Sequence, residues 1–190
     1  MVGRKVENQY PKIHVDRGEE ILRVEHLSVP HPNIKGKNIV DDIGFTLHKG
    51  EILGFGGLVG AGRSESLSAI FGQTDKGVKK QVFVEGKEVN IKSPIEAIKY
   101  GMGYVSEERR HDGITPGMSV KENMILPSYG QMTKNGLIDY KKITEIVDQY
   151  IDSMSIKTAS RETLIKNLSG GNQQKVIVAR WMAKNVKMLI

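Results

Sequence analysis

The sequence contains no cysteine, which excludes a disulfide framework and a thiolate metal site. It also lacks an apolar stretch near the roughly 18 to 20 residues that a membrane-spanning helix needs. Residues 1–5 include no apolar segment of the kind found in secretory signals. With 38% hydrophobic and 26% charged residues, the composition is typical of a soluble globular protein.

Aromatic residues are also scarce, at 6% of the chain, and they are not interleaved with basic residues. A net charge of +6 is compatible with a nucleic acid, an anionic membrane surface or a polyphosphate ligand. The basic residues are spread along the chain without a block of five or six like charges. We therefore expect no nucleic-acid partner, and a solvated surface with a modest excess of charge.

Short apolar or alternating runs in the first part of the chain predict strands. The predicted strands are 21–25, 39–47, 51–55, 82–84, 89–91 and 102–105, with the fourth and fifth forming a hairpin around Gly86-Lys87. Ser93 followed by Pro94 and Glu96 predicts a helix start, in which Ser93 caps the helix and Glu96 returns to the N–H of Ser93.

Residues 115–168 are predicted to be mainly helical. A helix over Tyr140–Met154, capped by Asp139, carries apolar residues at helical spacing on one face. These are Ile143, Ile146, Val147, Tyr150, Ile151 and Met154. We expect this face to be buried in a core.

A glycine-rich stretch, Gly57–Ser64, follows the predicted strand 51–55 and precedes a helical pattern. It fits the phosphate-loop pattern G-x-x-x-x-G-K-[S/T], except that Arg63 replaces the lysine. Glycines allow successive N–H groups to face a phosphate, and the next helix adds its positive end. Taken alone, a tight strand-to-helix turn explains this stretch equally well.

A second glycine motif lies in the run Asn167–Val176, which reads N-L-S-G-G-N-Q-Q-K-V. Ser169 is a good helix cap, and Gly170 and Gly171 leave the first turn without side chains, which predicts an anion site at the start of a helix over Gly170–Lys184. Taken alone, Ser-Gly-Gly also suits a flexible turn before a helix.

The run Asn167–Val176 resembles the signature motif of ABC-type ATPases, in the form found in monosaccharide importers. The chain as a whole is similar to the second ATPase domain of the tandem ribose, xylose and galactose class, in which an arginine also replaces the phosphate-loop lysine. The matching segments are 1–4, 50–54, 57–63, 106–110, 112–114, 117–123 and 167–176. The resemblance implies an α/β fold: an ABC-type P-loop ATPase core with an antiparallel β subdomain and a helical insert, incomplete at its C-terminal end.

The resemblance also implies a domain layout and binding roles. Residues 1–20 would be a linker, 21–114 the ATP-binding core with the β subdomain, 115–168 the helical subdomain, and 169–190 the signature helix and the start of the next core strand. Phosphate-loop roles fall to Gly57, Gly60, Ala61, Gly62, Arg63 and Ser64. Ser169, Gly170, Gly171 and Gln173 would bind the γ-phosphate of ATP held by a partner domain.

Mg²⁺ and adenine contacts follow from the same resemblance. Ser64 would ligate Mg²⁺, and Glu107 occupies the position of the family's Q-loop glutamine, where its carboxylate could also ligate the metal but would repel the γ-phosphate. His31 lies where an aromatic ring usually stacks on adenine; a solvent-exposed loop histidine is an equal alternative.

Hydrolysis at this chain's own phosphate loop is expected to be weak. The fork-shaped guanidinium of Arg63 does not reproduce the compact lysine ammonium, and Glu107 adds a negative charge. Residues 187–190 resemble the start of the strand that leads to the catalytic Asp-Glu pair, which the sequence does not contain. We therefore assign no catalytic residue and expect the chain alone to be hydrolytically inert.

The implied protein is an ABC-type monosaccharide-transporting ATPase at the cytoplasmic face of the cell membrane. Its implied partners are the first ATPase domain of the same subunit, a second copy of the subunit, transmembrane permease subunits and, indirectly, a periplasmic or lipid-anchored sugar-binding protein. Three alternatives stay open: a regulatory module that binds nucleotide without hydrolysis, a P-loop kinase or GTPase, and an ABC ATPase of DNA repair. The kinase or GTPase has no need of the signature run, and the repair ATPases carry long coiled-coil arms that this sequence lacks.

Overall fold

The computed structural model describes residues 15–74, 76–134 and 136–190, which form two compact units. The first unit comprises the described residues up to Ser66 together with Gly77–Asn90. The second comprises Ile91–Ile190 and the described residues of Leu67–Lys76. Residues 1–14, and with them most of the predicted linker, lie outside the described residues. None of the described helices is both long enough and apolar enough to span a bilayer.

A four-stranded antiparallel sheet forms the first unit. Its strands are β1 (Glu20–Pro30), β2 (Asn38–His48), β3 (Lys79–Val84) and β4 (Lys87–Val89), in the order β2-β1-β3-β4. The strands predicted at 21–25, 39–47 and 82–84 are confirmed. The predicted hairpin also forms, but its second strand is Lys87–Val89 rather than 89–91, and its turn is Glu85-Gly86, because Val84 pairs with Lys87. Both turn residues have positive φ, 50° and 76°, as the tightest hairpin turns require.

The central strand β1 buries side chains in two phases. Leu22 and Val24 are buried in its first half, and Leu27 and Val29 in its second. A strict two-residue alternation would turn the second pair to the opposite face. A bulge at His26, whose φ is 53°, inserts the extra residue that returns Leu27 to the core.

The strand predicted at 51–55 does not form. The chain instead leaves β2 through a turn in which Glu51 N donates to the carbonyl oxygen of His48 at 3.1 Å. His48 N in turn donates to the Glu51 carboxylate, and this bond is the main reason why the pKa of Glu51 lies below its ordinary value. Ile52 is 98% exposed. The prediction was wrong because an apolar run becomes a strand only beside a hydrogen-bonding neighbour, and no described strand pairs with this segment.

Helices and short turns dominate the second unit. Its helices are α2 (Pro94–Lys99), α3 (Val120–Ile125), α4 (Tyr140–Ser153) and α5 (Gly170–Lys184), and α1 (Arg63–Ile70) spans the division between the units. A π-helical turn covers Arg109–Gly113, and 3₁₀ turns cover Leu126–Gln131 and Ile165–Asn167. Short strands are β5 (Met102–Gly103), β6 (Thr133–Lys134), β7 (Leu137–Ile138) and β8 (Met188–Leu189). The β6–β7 hairpin was not anticipated in the region predicted to be helical.

The predicted helix starts are largely confirmed. Asp139 caps α4 by accepting from Lys142 N at 3.0 Å, and the predicted apolar face includes the fully buried Ile143 and Val147. In α2, Glu96 N donates to Ser93 Oγ at 3.4 Å. The Glu96 carboxylate, however, accepts from the N–H of Lys92 at 2.7 Å rather than from that of Ser93.

The core of the second unit packs α5 against α3, and the ring of Trp181 in α5 lies 3.0 Å from the point where a β-carbon of Gly103 in β5 would stand. Met102 pairs with Met188, which confirms strands at both predicted positions. Trp181 of α5 makes an edge-on contact with Phe71 and donates from Nε1 to the carbonyl oxygen of Tyr104 at 2.8 Å. These contacts fix α5, and with it the start of the signature run, to the body of the unit.

Candidate functional site

The glycine-rich loop Gly57–Ser64 closes through a turn over Leu58–Ala61. The N–H of Ala61 donates to Leu58 O at 3.1 Å, and Gly60 has a φ of 80° at the third position of the turn. A β-carbon on Gly60 would meet nothing within 4 Å. Backbone conformation, not space, therefore requires glycine at this position.

Gly62 joins the loop to α1, and here both conformation and space require glycine. Its φ is 83°, and a β-carbon would lie 2.8 Å from both Ile39 O and Val40 Cγ2 of β2. The carbonyl oxygen of Gly62 accepts from Ser66 N at 2.9 Å and from Ser66 Oγ at 2.7 Å. Contacts to the sheet and to the first turn of α1 thus fix where the loop ends.

Arg63, in place of the usual lysine, is the exposed first residue of α1. Its Cγ and Cδ atoms each lie 3.7 Å from the point where a β-carbon of Gly57 would stand, and Ala61 Cβ lies 3.2 Å from that point. A β-carbon on Gly57 would therefore make an ordinary contact with the arginine stem and a tighter one with Ala61. Arg63 forms no ion pair within the described part of the chain, so its charge is available to an anion.

The predicted Mg²⁺ residues lie in different units. Ser64 is half-buried in the first turn of α1, whereas Glu107 is exposed in the loop that precedes the π-helical turn. No group of three or more His, Asp or Glu side chains among the described residues is arranged to hold a metal. One hydroxyl and one carboxylate suit Mg²⁺, which takes its other ligands from phosphates and water. A joint role of Ser64 and Glu107 stays a prediction.

His31 has a structural role that the sequence did not reveal. Its ring Nδ1 accepts from the main-chain N–H groups of Asn33 and Ile34, each at 3.1 Å, and the main-chain N–H of His31 donates to Lys37 O at 2.8 Å. The half-buried ring therefore shapes the turn after β1. Stacking of this ring on adenine stays a prediction.

The signature helix α5 begins at Gly170 and ends at Lys184, as predicted. Ser169 has the extended backbone of a cap residue, but its hydroxyl does not accept from the helix backbone; it accepts from Asn172 Nδ2 at 2.9 Å. The first helical bond runs from Gln173 N to Ser169 O. Within the described residues, the N–H groups of Gly170, Gly171 and Asn172 have no acceptor, and they lie at the positive end of the helix dipole.

Gln173 has structural contacts that the sequence did not reveal. Its side chain is 7% exposed, and Nε2 donates to Ile165 O at 3.0 Å and to Leu168 O at 3.1 Å. Both N–H donors of the amide are therefore used inside the protein, and contact of Gln173 with a phosphate stays a prediction. The amide instead holds the segment that leads into Ser169.

Two residues that support the signature run, Asn172 within it and Arg109 outside it, were not predicted from the sequence. Asn172 anchors the Ser169 hydroxyl, and its Oδ1 accepts from Lys157 N at 3.0 Å. Arg109 Nη1 donates to Gly170 O at 3.1 Å. Asn172 lies inside the motif, so its role could have been predicted from the sequence. No sequence pattern places Arg109 next to Gly170.

Comparison with known proteins supplies the family. The family model described as ABC transporter matches residues 40–190. A xylose import ATP-binding protein of Thermoanaerobacter pseudethanolicus is 37% identical over 190 residues, and a ribose import ATP-binding protein of Bacillus subtilis is 40% identical. Each similarity covers 100% of this chain but only 38% and 37%, respectively, of the relative's length.

Solved structures agree on the fold. An ATP-binding cassette, captured as a dimer after hydrolysis with ADP and phosphate, has a TM-score of 0.74 and is 18% identical, over 89% of this chain and 72% of that one. A second cassette, in an ADP conformation, has a TM-score of 0.67 at 21% identity, over 90% of this chain and 67% of that one. The fold is that of an ABC-type P-loop ATPase core with an antiparallel sheet and a helical region, and the chain belongs to the ABC transporter family.

Proposed function

We propose that this chain binds Mg-ATP at Gly57–Ser64 and contributes the start of α5 to the ATP of a partner domain. The observation that carries the proposal is the set of three N–H groups at Gly170, Gly171 and Asn172 that have no acceptor in the described part of the chain. Gly171 is exposed, and a β-carbon there would meet nothing within 4 Å, so a phosphate can approach the backbone. Such a helix end is suited to a polyphosphate.

We further propose that the surrounding protein powers monosaccharide import. Full-chain similarity to relatives named as ribose and xylose import ATP-binding proteins supports this. Arg63 in the phosphate loop favours the second position of a tandem pair. The partners would then be the first ATPase domain of the same subunit, a second copy of it, permease subunits and indirectly a sugar-binding protein, at the cytoplasmic face of the membrane.

The two glycine motifs would have unequal roles in phosphoryl transfer. Backbone donors at Gly170 and Gly171 would stabilise the charge that develops on the γ-phosphate oxygens at the partner's site. At this chain's own loop, the hydroxyl of Ser64 would hold Mg²⁺, which would neutralise charge on the phosphates. Arg63 and Glu107 make this second site better suited to binding than to rapid hydrolysis.

Nucleotide binding is tested on the chain itself with a fluorescent ATP analogue, with Mg²⁺ and with EDTA. We expect saturable binding that weakens in EDTA and in a Ser64→Ala variant, and no phosphate release above background. Failure to bind the analogue at millimolar concentration would refute the proposed role of Gly57–Ser64.

The signature role is tested with Gly171→Asp in the complete subunit, reconstituted with its permease. The substitution places a carboxylate in open space beside the proposed phosphate position, so it should abolish import while the variant remains folded. Gln174→Asp, an exposed position further along α5, is the matched control. Unaltered import by the Gly171→Asp variant would contradict the proposal. If the Gly171→Asp variant still hydrolyses ATP and loses only the regulation of import, the regulatory alternative is favoured.

A further inference from the structure

The guanidinium of Arg109 lies against the first residue of the signature helix. Nη1 donates to Gly170 O at 3.1 Å. A β-carbon on Gly170 would lie 2.8 Å from Nη1, 3.2 Å from Nη2 and 3.3 Å from Cζ of the arginine. The guanidinium therefore occupies the volume that any larger residue at position 170 would need.

The charge of Arg109 is unfavourably placed in the protein alone. It stands beside the positive end of the α5 dipole, and it has no carboxylate partner within the described residues. Its Nε is buried without a hydrogen-bond partner. A phosphate at the N-terminus of α5 would offset both the charge of Arg109 and the positive end of the helix dipole.

The π-helical turn Arg109–Gly113 holds this arginine against α5 at two points. Ile114 N donates to Arg109 O at 3.1 Å, which closes the turn. At the far end, Arg180 Nη1 of α5 donates to Gly113 O at 2.8 Å, and a β-carbon on Gly113 would lie 2.9 Å from Ile177 Cδ1. Both ends of the turn thus rest on the signature helix.

We propose that Arg109 is a positioning residue for the signature site. By holding the Gly170 carbonyl it fixes the plane of the next peptide, and with it the direction of the Gly171 N–H toward the partner's γ-phosphate. The proposal rests on the proposed function of α5. Arg109 follows Glu107 closely, and its N–H donates to Glu107 O at 3.0 Å, so a shift of the loop at Glu107 would reach the signature site directly.

The test uses ATP hydrolysis by the complete subunit, reconstituted with its permease. We expect Arg109→Ala to lower kcat about 10-fold to 100-fold, since small misplacements of stabilising groups have effects of that order. The KM for ATP should change by less than about twofold, because a positioning residue for the transition state does not alter ground-state binding. Arg109→Lys should recover part of kcat, because it retains a donor for Gly170 O. Arg110→Ala, the exposed neighbour, should match the wild type.

A double-mutant cycle separates positioning from general stability. Gly170→Ala must displace the guanidinium, so its loss of kcat should be smaller when Arg109 is already alanine. Additive losses, or a wild-type kcat in Arg109→Ala, would overturn the proposal. If Arg109→Ala fails to fold, the cycle is run with Arg109→Lys.

Gly171→Asp distinguishes the two levels of the hypothesis. If Gly171→Asp abolishes hydrolysis and the Arg109 variants behave as wild type, the positioning role alone fails. If Gly171→Asp leaves hydrolysis intact, the proposed function of α5 fails, and the positioning role fails with it.

Discussion

Arg180 of α5 donates from Nε to the carbonyl oxygen of Asn123 at 2.6 Å and from Nη2 to the Oδ1 of the same residue at 3.2 Å. Asn123 is fully buried in α3, and its own Nδ2 donates to Thr115 O at 3.0 Å and to Ser119 O at 3.0 Å. One side chain of the signature helix therefore holds both the main chain and the side chain of α3. Burial lowers the pKa of Arg180 to about 10, so the group stays charged at neutral pH.

Arg180→Met should lower the free energy of unfolding by about 2–4 kcal/mol, because it leaves the carbonyl oxygens of Gly113 and Asn123 buried without donors. Relief of the arginine's desolvation offsets part of this loss. Urea denaturation of the chain measures the change, with Arg110→Met as the exposed control. An unchanged or higher stability would mean that desolvation outweighs the three hydrogen bonds.

Gln173→Ala should destabilise the chain by about 1–3 kcal/mol, since it removes the donor to the carbonyl oxygen of Leu168 and leaves that of Ile165 with the N–H of Leu168 alone. Gln174→Ala, at the next and exposed position, should change stability by less than about 0.5 kcal/mol. Denaturant midpoints of the two variants provide the comparison. If Gln173→Ala keeps full stability and loses only ATP-dependent turnover, Gln173 is a ligand after all.

The burial of Gln173 has a physical origin in the helix pattern. The buried side chains of α5 include Gln173, Val176, Ile177, Arg180 and Trp181, at the i, i+3, i+4, i+7, i+8 spacing of one helix face. Two of these five are polar, so a search for apolar residues alone does not find the face. The position of Arg109 could not be predicted for another reason, because its contact with Gly170 joins residues that are 61 positions apart in the sequence.

Local signals, by contrast, predicted local structure well. Asp139 and the apolar spacing after it predicted α4 to within one residue, and the hydrophobic alternation predicted β2 and the first half of β1. The strand expected at 51–55 failed because strand formation depends on a neighbour that no local pattern specifies. The bulge at His26 could not be predicted either, since its only trace is a change in the alternation of buried residues between Val24 and Leu27.

Gly60→Ala and Gly62→Ala should differ, although both glycines have positive φ. Gly60→Ala is expected to cost about 1 kcal/mol, for the backbone conformation alone, because the space around it is open. Gly62→Ala adds contacts of 2.8 Å with Ile39 O and Val40 Cγ2, and should cost about 2–4 kcal/mol. Thermal unfolding gives the difference, and binding of the fluorescent ATP analogue should weaken more in Gly62→Ala. Equal effects in the two variants would contradict the close packing of Gly62 on β2.

Acid should weaken the start of α3 through a single carboxylate. Glu122 Oε2 accepts from Ser119 N at 2.7 Å and from Ser119 Oγ at 2.8 Å, while Glu122 N donates to Ser119 Oγ at 3.1 Å. The backbone bond from Ser119 is the main reason why the pKa of Glu122 lies below its ordinary value. A lowered pKa means that the unfolded chain takes up this proton first as the pH falls. The stabilisation is therefore complete above the unfolded pKa and is lost as the pH falls through the folded one.

Glu122→Gln provides the test, because glutamine can accept from Ser119 N at every pH and does not titrate. Relative to this variant, the wild type should lose stability as the pH falls through the ordinary pKa of a glutamate and then through the lower pKa of folded Glu122, as measured by urea denaturation at a series of acidic pH values. Glu145→Gln, an exposed glutamate on α4, should follow the wild type. A constant difference between wild type and Glu122→Gln at all pH values would show that the carboxylate charge does not contribute to the cap. Ser119 caps α3, and Arg180 holds the same helix through Asn123. Arg180→Met should therefore increase the loss of stability that acid causes, beyond the sum of the two separate effects.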